Sequence, residues 1–97
     1  MFSLSGQLSA KPGLRLRPVP EWDTCVVYDP DRRRLIEINL TAAVVLELCD
    51  GRRYNEVRDG FAAALGSRLH AAEADRLASA AVMRLIAAGL VLRRSEG

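Results

Sequence analysis

Residues 35–51, LIEINLTAAVVLELCDG, decide the fold, because a strand pattern changes there into a helix pattern without a loop. Ile36 and Ile38 alternate with their neighbours, which is typical of a strand with one buried face. Asn39 can cap the helix, since its side-chain oxygen can accept a hydrogen bond from the first free N–H groups. Gly51 suits the left-handed conformation that follows a helix. The stretch therefore predicts a strand that leads directly into a helix.

The rest of the chain predicts two earlier strands and two later helices. Strands are expected at 14–19, 22–28 and 33–38, helices at 41–49, 55–65 and 72–88, and the pattern at 90–92 allows a short final strand. Without a parallel crossover the sheet is antiparallel. We expect an α+β domain, winged helix-turn-helix-like, in which a three-stranded antiparallel sheet is followed by three helices. Residues 1–13 are expected to form a flexible arm, 14–92 the domain and 93–97 a tail.

Composition bounds the function classes. The 97 residues make one domain, and a net charge of +2 does not demand a nucleic-acid or membrane partner. No signal peptide or membrane-spanning run is recognised, so we expect a cytoplasmic protein whose Cys25 and Cys49 are free and buried. His70 is the only histidine, which argues against a zinc site.

No catalytic constellation is found in the sequence. It contains no Gly-rich phosphate loop, nucleophile elbow, HExxH or CxxC motif. Asp29 and Asp31 fall in a predicted turn, where such side chains stabilise the turn itself. The chain is therefore predicted not to be an enzyme, with no catalytic residue, metal or cofactor.

Two binding functions remain, together with a third possibility, a structural subunit of a larger enzyme. A winged-helix domain can read DNA with one helix, and the arginine clusters could contact phosphates. The helix at 72–88, however, lacks Asn, Gln and Lys, the side chains suited to base edges besides arginine. DNA binding is therefore the alternative interpretation, and nucleic acid is not the expected partner.

The preferred interpretation is peptide capture by strand addition, because the outer edge of the third strand is predicted to be open. The third helix has one stripe predicted to join the core, Leu77, Ala78, Ala81, Leu85 and Ala88. A second stripe of this helix would form the other wall. The candidate peptide-binding residues are Arg33, Arg34, Leu35, Ile36, Glu37 and Ile38 on the strand and Arg76, Ala80, Met83, Arg84 and Ala87 on the helix. Two simpler interpretations stay open: the strand's charges guard its edge, and the helix stripe faces solvent or completes the core.

Three segments carry a resemblance to a known family. The turn DPDRRRL at 29–35, the segment INLTAAVVLELCDG at 38–51 and the closing AAGLV at 87–91 resemble the PqqD-like peptide chaperones, also called RiPP recognition elements. The resemblance spans residues 14–92. Within the family, the chain resembles the free-standing members. Leu40 and Tyr54 depart from the family pattern.

The resemblance implies a fold of three strands and three helices without a catalytic centre. It also implies that the leader of a ribosomally made precursor peptide binds between the third strand and the third helix. The expected partners are therefore this precursor peptide and a maturation enzyme, often a radical SAM protein.

Overall fold

The structure, a computed structural model, describes residues 6–65 and 70–94. Six strands and three helices lie along them, and four of the strands precede the first helix. The strands are β1 (Gln7–Ala10), β2 (Arg15–Val19), β3 (Thr24–Asp29), β4 (Arg34–Asn39), β5 (Asp50–Arg53) and β6 (Val91–Arg94). The helices are α1 (Leu40–Leu48), α2 (Tyr54–Leu65) and α3 (Ala71–Ala87), and a 3-10 turn spans Pro20–Trp22.

The first sheet is the predicted antiparallel one, with the strand order β2-β3-β4. Its second strand begins later than predicted, because Trp22 belongs to the 3-10 turn. Pro20 opens this turn with its fixed φ angle, and Asp23 closes it in the left-handed conformation at φ 56°. The strand β4 lies at one edge of the sheet.

The joint between β4 and α1 forms as predicted. The Asn39 side chain accepts a hydrogen bond from the Ala42 N–H at 2.7 Å, and α1 begins at Leu40. The chain therefore passes from β4 into α1 without a loop. Gly51 has φ 97°, a left-handed value that residues with a Cβ adopt only at a cost. It lies within β5, however, and α1 already ends at Leu48 with Cys49 as its C-cap, so Gly51 does not end the helix as predicted.

A second sheet, with the strand order β5-β1-β6, was not predicted. Its central strand lies within the segment expected to be a flexible arm, and that expectation is wrong for Gln7–Ala10. Leu8 is fully buried. The Ala10 N–H donates to the Cys49 carbonyl at 2.6 Å, and the Lys11 N–H donates to the Leu90 carbonyl at 2.8 Å. The strand β1 therefore ties the end of α1 to the end of α3.

The core lies between the three helices and the inner face of the first sheet. Its largest fully buried side chains include Phe61, Leu8, Leu46, Leu85, Leu90 and Val27. Both cysteines are free and buried, as predicted, and burial raises the pKa of Cys49 to about 11. In the described part of the chain, no helix combines the length and apolar character needed to cross a membrane. The predicted tail at 93–97 is wrong for Arg93 and Arg94, which belong to β6, and its remaining residues lie outside the described part of the chain.

Candidate peptide-binding groove

A groove runs between the free edge of β4 and the helix α3. It encloses a cavity of about 360 Å³. The lining residues are Ile36, Glu37, Ile38, Asn39, Ala42, Leu77, Ala80, Ala81, Arg84, Leu85 and Ala88. Apart from Arg84 and the polar strand positions, these side chains are aliphatic.

The strand wall of the groove has an unpaired backbone edge. Among the strands that the structure describes, β4 pairs only with β3. In an antiparallel pair, every second residue turns its N–H and C=O away from its neighbour. Ile36 and Ile38 point inward and are half-buried, so they border the cavity with their side chains. This wall offers both backbone hydrogen bonds and an apolar surface.

The helix wall is open because its residues are small. Ala80, Ala81 and Ala88 line the groove, together with Ala42 from α1. An alanine has no side-chain atom beyond Cβ, so the space between α3 and β4 stays unfilled. Arg84 is the charged residue of this wall, and it is exposed.

The structure brings together five of the residues predicted from the sequence. Ile36, Glu37, Ile38, Ala80 and Arg84 all line the cavity. The β-strand alternation places the Leu35 side chain on the opposite face of the sheet, where it is 70% exposed. Arg33 lies in the hairpin turn before β4 with φ 50°, outside the cavity lining.

Three predicted helix residues, Arg76, Met83 and Ala87, are exposed and do not line the cavity. Successive helix residues are about 100° apart, so Met83 lies about 120° around the axis from Leu77. The groove is formed instead by one side of the stripe that the sequence assigned to the core, including Leu77, Ala81 and Ala88. This stripe is about 100° wide, an ordinary width for a packing face, so its width offers no signal that one side of it borders a groove.

Arg34 closes one end of the groove. Its guanidinium Nη2 donates a hydrogen bond to the Ala88 carbonyl at the end of α3. Its Nε lies 3.5 Å from a carboxylate oxygen of Asp29, an ion-pair distance. Arg34 therefore connects the strand wall to the helix wall, and a positive charge at the C-terminus of α3 also suits the helix dipole.

Asp29 holds Arg34 at this end of the groove through an ion pair. Its side chain is fully buried and lies 3.0 Å from the ammonium group of Lys11. Burial alone would raise the pKa of Asp29, but the hydrogen bond and charge of Lys11 outweigh it, so the pKa is lowered. The ammonium group also contacts Asp31 at 2.9 Å. The carboxylate of Asp29 thus holds Arg34 and Lys11 against the same hairpin.

Tyr54, the first residue of α2, connects α2 to the N-terminal half of α3. Its hydroxyl contacts Asp75 twice, at 2.6 Å from a carboxylate oxygen and 2.9 Å from the carbonyl. Burial, together with this carboxylate, raises the pKa of Tyr54 to about 12. The departure from the family pattern at this position thus provides a contact between α2 and α3.

The arginine clusters considered for DNA do not lie on α3. Arg52, Arg53, Arg93 and Arg94 are on the edge strands of the second sheet, on either side of β1. Arg52 pairs with Asp50 at 3.1 Å. These positive charges surround a sheet and not a recognition helix.

Comparisons with known proteins identify a family and two solved structures of similar fold. A family model described as coenzyme PQQ synthesis protein D (PqqD) matches residues 24–91. The fold is similar to that of TbiB1 in complex with the TbiA(beta) leader peptide, with a TM-score of 0.65 and 12% identity over 91% of this chain and 99% of that chain. No curated protein matches the chain.

A second solved structure is similar over nearly its whole length. It is the solution NMR structure of the PqqD truncation of Methylobacterium extorquens PqqCD, which represents a functional and stand-alone RiPP recognition element. The TM-score is 0.64 and the identity 22%, over 96% of each chain. The fold class predicted from the order of strands and helices and the resemblance to the PqqD-like proteins are both confirmed.

Proposed function

Because this chain belongs to the PqqD family, we propose that it binds the leader segment of a ribosomally synthesised precursor peptide. The single observation that carries the proposal is the unpaired edge of β4 beside an apolar cavity. A guest in extended conformation adds to β4 as a further strand, and the helix α3 covers its inward-facing side chains.

The geometry of the groove selects the guest's chemistry. Side chains at every second position of an extended guest, about 7 Å apart, enter the cavity between Ile36, Ile38 and Leu77. The aliphatic lining requires these side chains to be apolar. An acidic residue of the guest pairs with Arg84, whose guanidinium is suited to carboxylates.

Apolar burial and backbone pairing have different roles in this binding. Each backbone hydrogen bond to β4 contributes about 0.5–1.5 kcal/mol net and is independent of the guest's sequence. Each fully buried apolar side chain contributes about 1.5–3 kcal/mol and depends on its shape. Specificity therefore comes from the two or three guest side chains that enter the cavity.

The second part of the proposed function is delivery. We propose that the chain acts without chemistry of its own and presents the bound leader to a modifying enzyme such as a radical SAM protein. Family membership supports this role. The aliphatic lining of the groove supports it as well, since it suits binding better than proton transfer.

Two matched substitutions on α3 test the groove. Ala80→Phe places a ring inside the groove, whereas Ala87→Phe places the same ring on an exposed position of the same helix outside it. We expect Ala80→Phe to weaken the binding of a leader encoded beside this chain's gene at least about tenfold. Ala87→Phe should leave the affinity within about twofold of the wild type, as measured by calorimetry.

The same titration followed by amide NMR shifts locates the guest. Shifts are expected at residues 36–39 and 77–88. Equal weakening by the two phenylalanine variants would contradict the groove and favour the helix face predicted from the sequence. Tight, strongly salt-dependent binding of duplex DNA without any leader binding would overturn the proposed function.

A further inference from the structure

The face of the first sheet that points away from the helices is a second candidate surface. We call it the outer face. Cross-strand pairing arranges it in three rows: Arg15, Tyr28 and Leu35; Arg17, Val26 and Glu37; and Val19, Thr24 and Asn39. The strand β4 thus contributes to two surfaces, since Ile36 and Ile38 point to the groove and their neighbours point outward.

The outer face is apolar at its centre and strongly exposed. Trp22 and Leu35 are 71% and 70% exposed, the highest values among the large hydrophobic residues of the described chain. Together with Val26 and Tyr28 they border a depression of about 670 Å³. Tryptophan, tyrosine and arginine are the residue types that contribute most at protein–protein interfaces. Exposed patches of this composition mark interaction sites.

The charged strand residues of the outer face lie on opposite edges, and Glu21 of the 3-10 turn lies beyond the end of β2. Arg15 and Arg17 are on β2, whereas Glu37 is on β4, across Val26 from Arg17. Within the described residues, neither Arg17 nor Glu37 forms an ion pair. A partner with an acidic or a basic surface would suit one edge and be repelled by the other. A partner must therefore present both charges in the reverse order.

A second copy of this chain does so, and we propose that two copies associate through their outer faces. A two-fold axis parallel to β3 places β2 of each copy opposite β4 of the other. Arg17 then faces Glu37 twice, and Val26 and Tyr28 meet their own counterparts at the centre. A two-fold axis perpendicular to the strands would instead set the arginines of β2 against each other. The charge pattern thus selects one symmetric arrangement, with stacked sheets about 10 Å apart.

The expected association is weak. Three strands spaced about 4.8 Å apart give a face of about 15 Å by 20 Å, below the roughly 800 Å² per partner of a standard interface. The groove on the other side of β4 stays open in this dimer. The inference therefore goes beyond the proposed function and does not depend on it.

Sedimentation velocity of the full chain tests the dimer. The average mass of the wild type should rise towards twice the monomer mass between about 10 μM and 1 mM, the range for an interface of this size. Arg17→Glu and Glu37→Arg each place like charges opposite one another, so each variant alone should remain monomeric. Glu47→Arg, the same charge change at an exposed position of α1, should dimerise as the wild type does.

An equimolar mixture of the two single variants provides the decisive measurement. In the proposed symmetry the mixture pairs opposite charges at both contacts, so the dimer should reappear although neither variant forms it alone. The double variant Arg17→Glu/Glu37→Arg should also dimerise. A wild type that stays monomeric at the highest concentration would overturn the inference, and so would a mixture that stays monomeric. Circular dichroism verifies that each variant is folded.

Discussion

Replacing Leu8 with alanine tests whether residues 7–10 belong to the folded domain. Leu8 is fully buried in the centre of the second sheet, so Leu8→Ala should lower the free energy of unfolding by about 2–5 kcal/mol. In a flexible arm the same change would have an effect below about 0.5 kcal/mol. A domain of this size has a total stability of about 5–15 kcal/mol, so the difference is easily measured.

Urea denaturation followed by circular dichroism is the appropriate assay. With a slope of about 1–1.5 kcal/mol per molar urea, the midpoint should fall by about 1.3 M or more. Leu92→Ala is the matched control, because Leu92 lies on the neighbouring strand β6 and is 54% exposed. Its midpoint should fall by less than about 0.7 M. Similar small shifts in both variants would refute the assignment of β1 to the core.

Two pH-dependent contributions to stability follow from the ion pair at Asp29 and the hydrogen bond at Tyr54. The lowered pKa of Asp29 in the folded state contributes stability that is present above the carboxylate's ordinary pKa and is lost as the pH falls through its folded value. The urea midpoint of Asp29→Asn should therefore change less than that of the wild type between pH 6 and the acid limit of folding, and parallel pH profiles would contradict this. The raised pKa of Tyr54, about 12, contributes stability that is present below the ordinary pKa of about 10 and is lost as the pH rises towards 12. Tyr54→Phe should lower stability by about 0.5–1.5 kcal/mol at neutral pH and remove this alkaline loss, whereas Tyr28→Phe should keep it; an unchanged alkaline profile in Tyr54→Phe would disprove the role of the hydroxyl.

The strand-to-helix joint was predictable because its signals are local. The change from a period of two to a helical period and the Asn39 cap each depend on neighbouring residues only. The second sheet was not predictable in this way. The strand QLSA contains one large apolar residue, Leu8, and its strand partners lie more than forty residues away along the chain. Only the long-range pairing shows that this segment is a strand.

The sequence predicts a groove between the third strand and the third helix; a cavity does lie between β4 and α3, but it is lined by a different side of α3 from the one predicted. Periodicity identifies a stripe of α3 and does not state which side of it packs against other helices. Leu77 and Ala81 line the groove, whereas Met83 faces solvent. Arg34, taken from the sequence as a residue for the guest, contacts Ala88 instead, a pairing that needs the three-dimensional arrangement.

In the proposed binding mode, the shortness of β4 limits the length of precursor peptide that can pair with this strand. The strand has six residues, about 20 Å, and it is bounded by the Arg34–Ala88 contact at one end and by α1 at the other. A guest strand would therefore pair with β4 over about half a dozen residues. The peptide residues before and after this segment would not pair with β4. Precursors that share only this short recognition sequence could diverge freely in the part that becomes the product. A maturation system built on such an adaptor can acquire new products without any change in the adaptor itself.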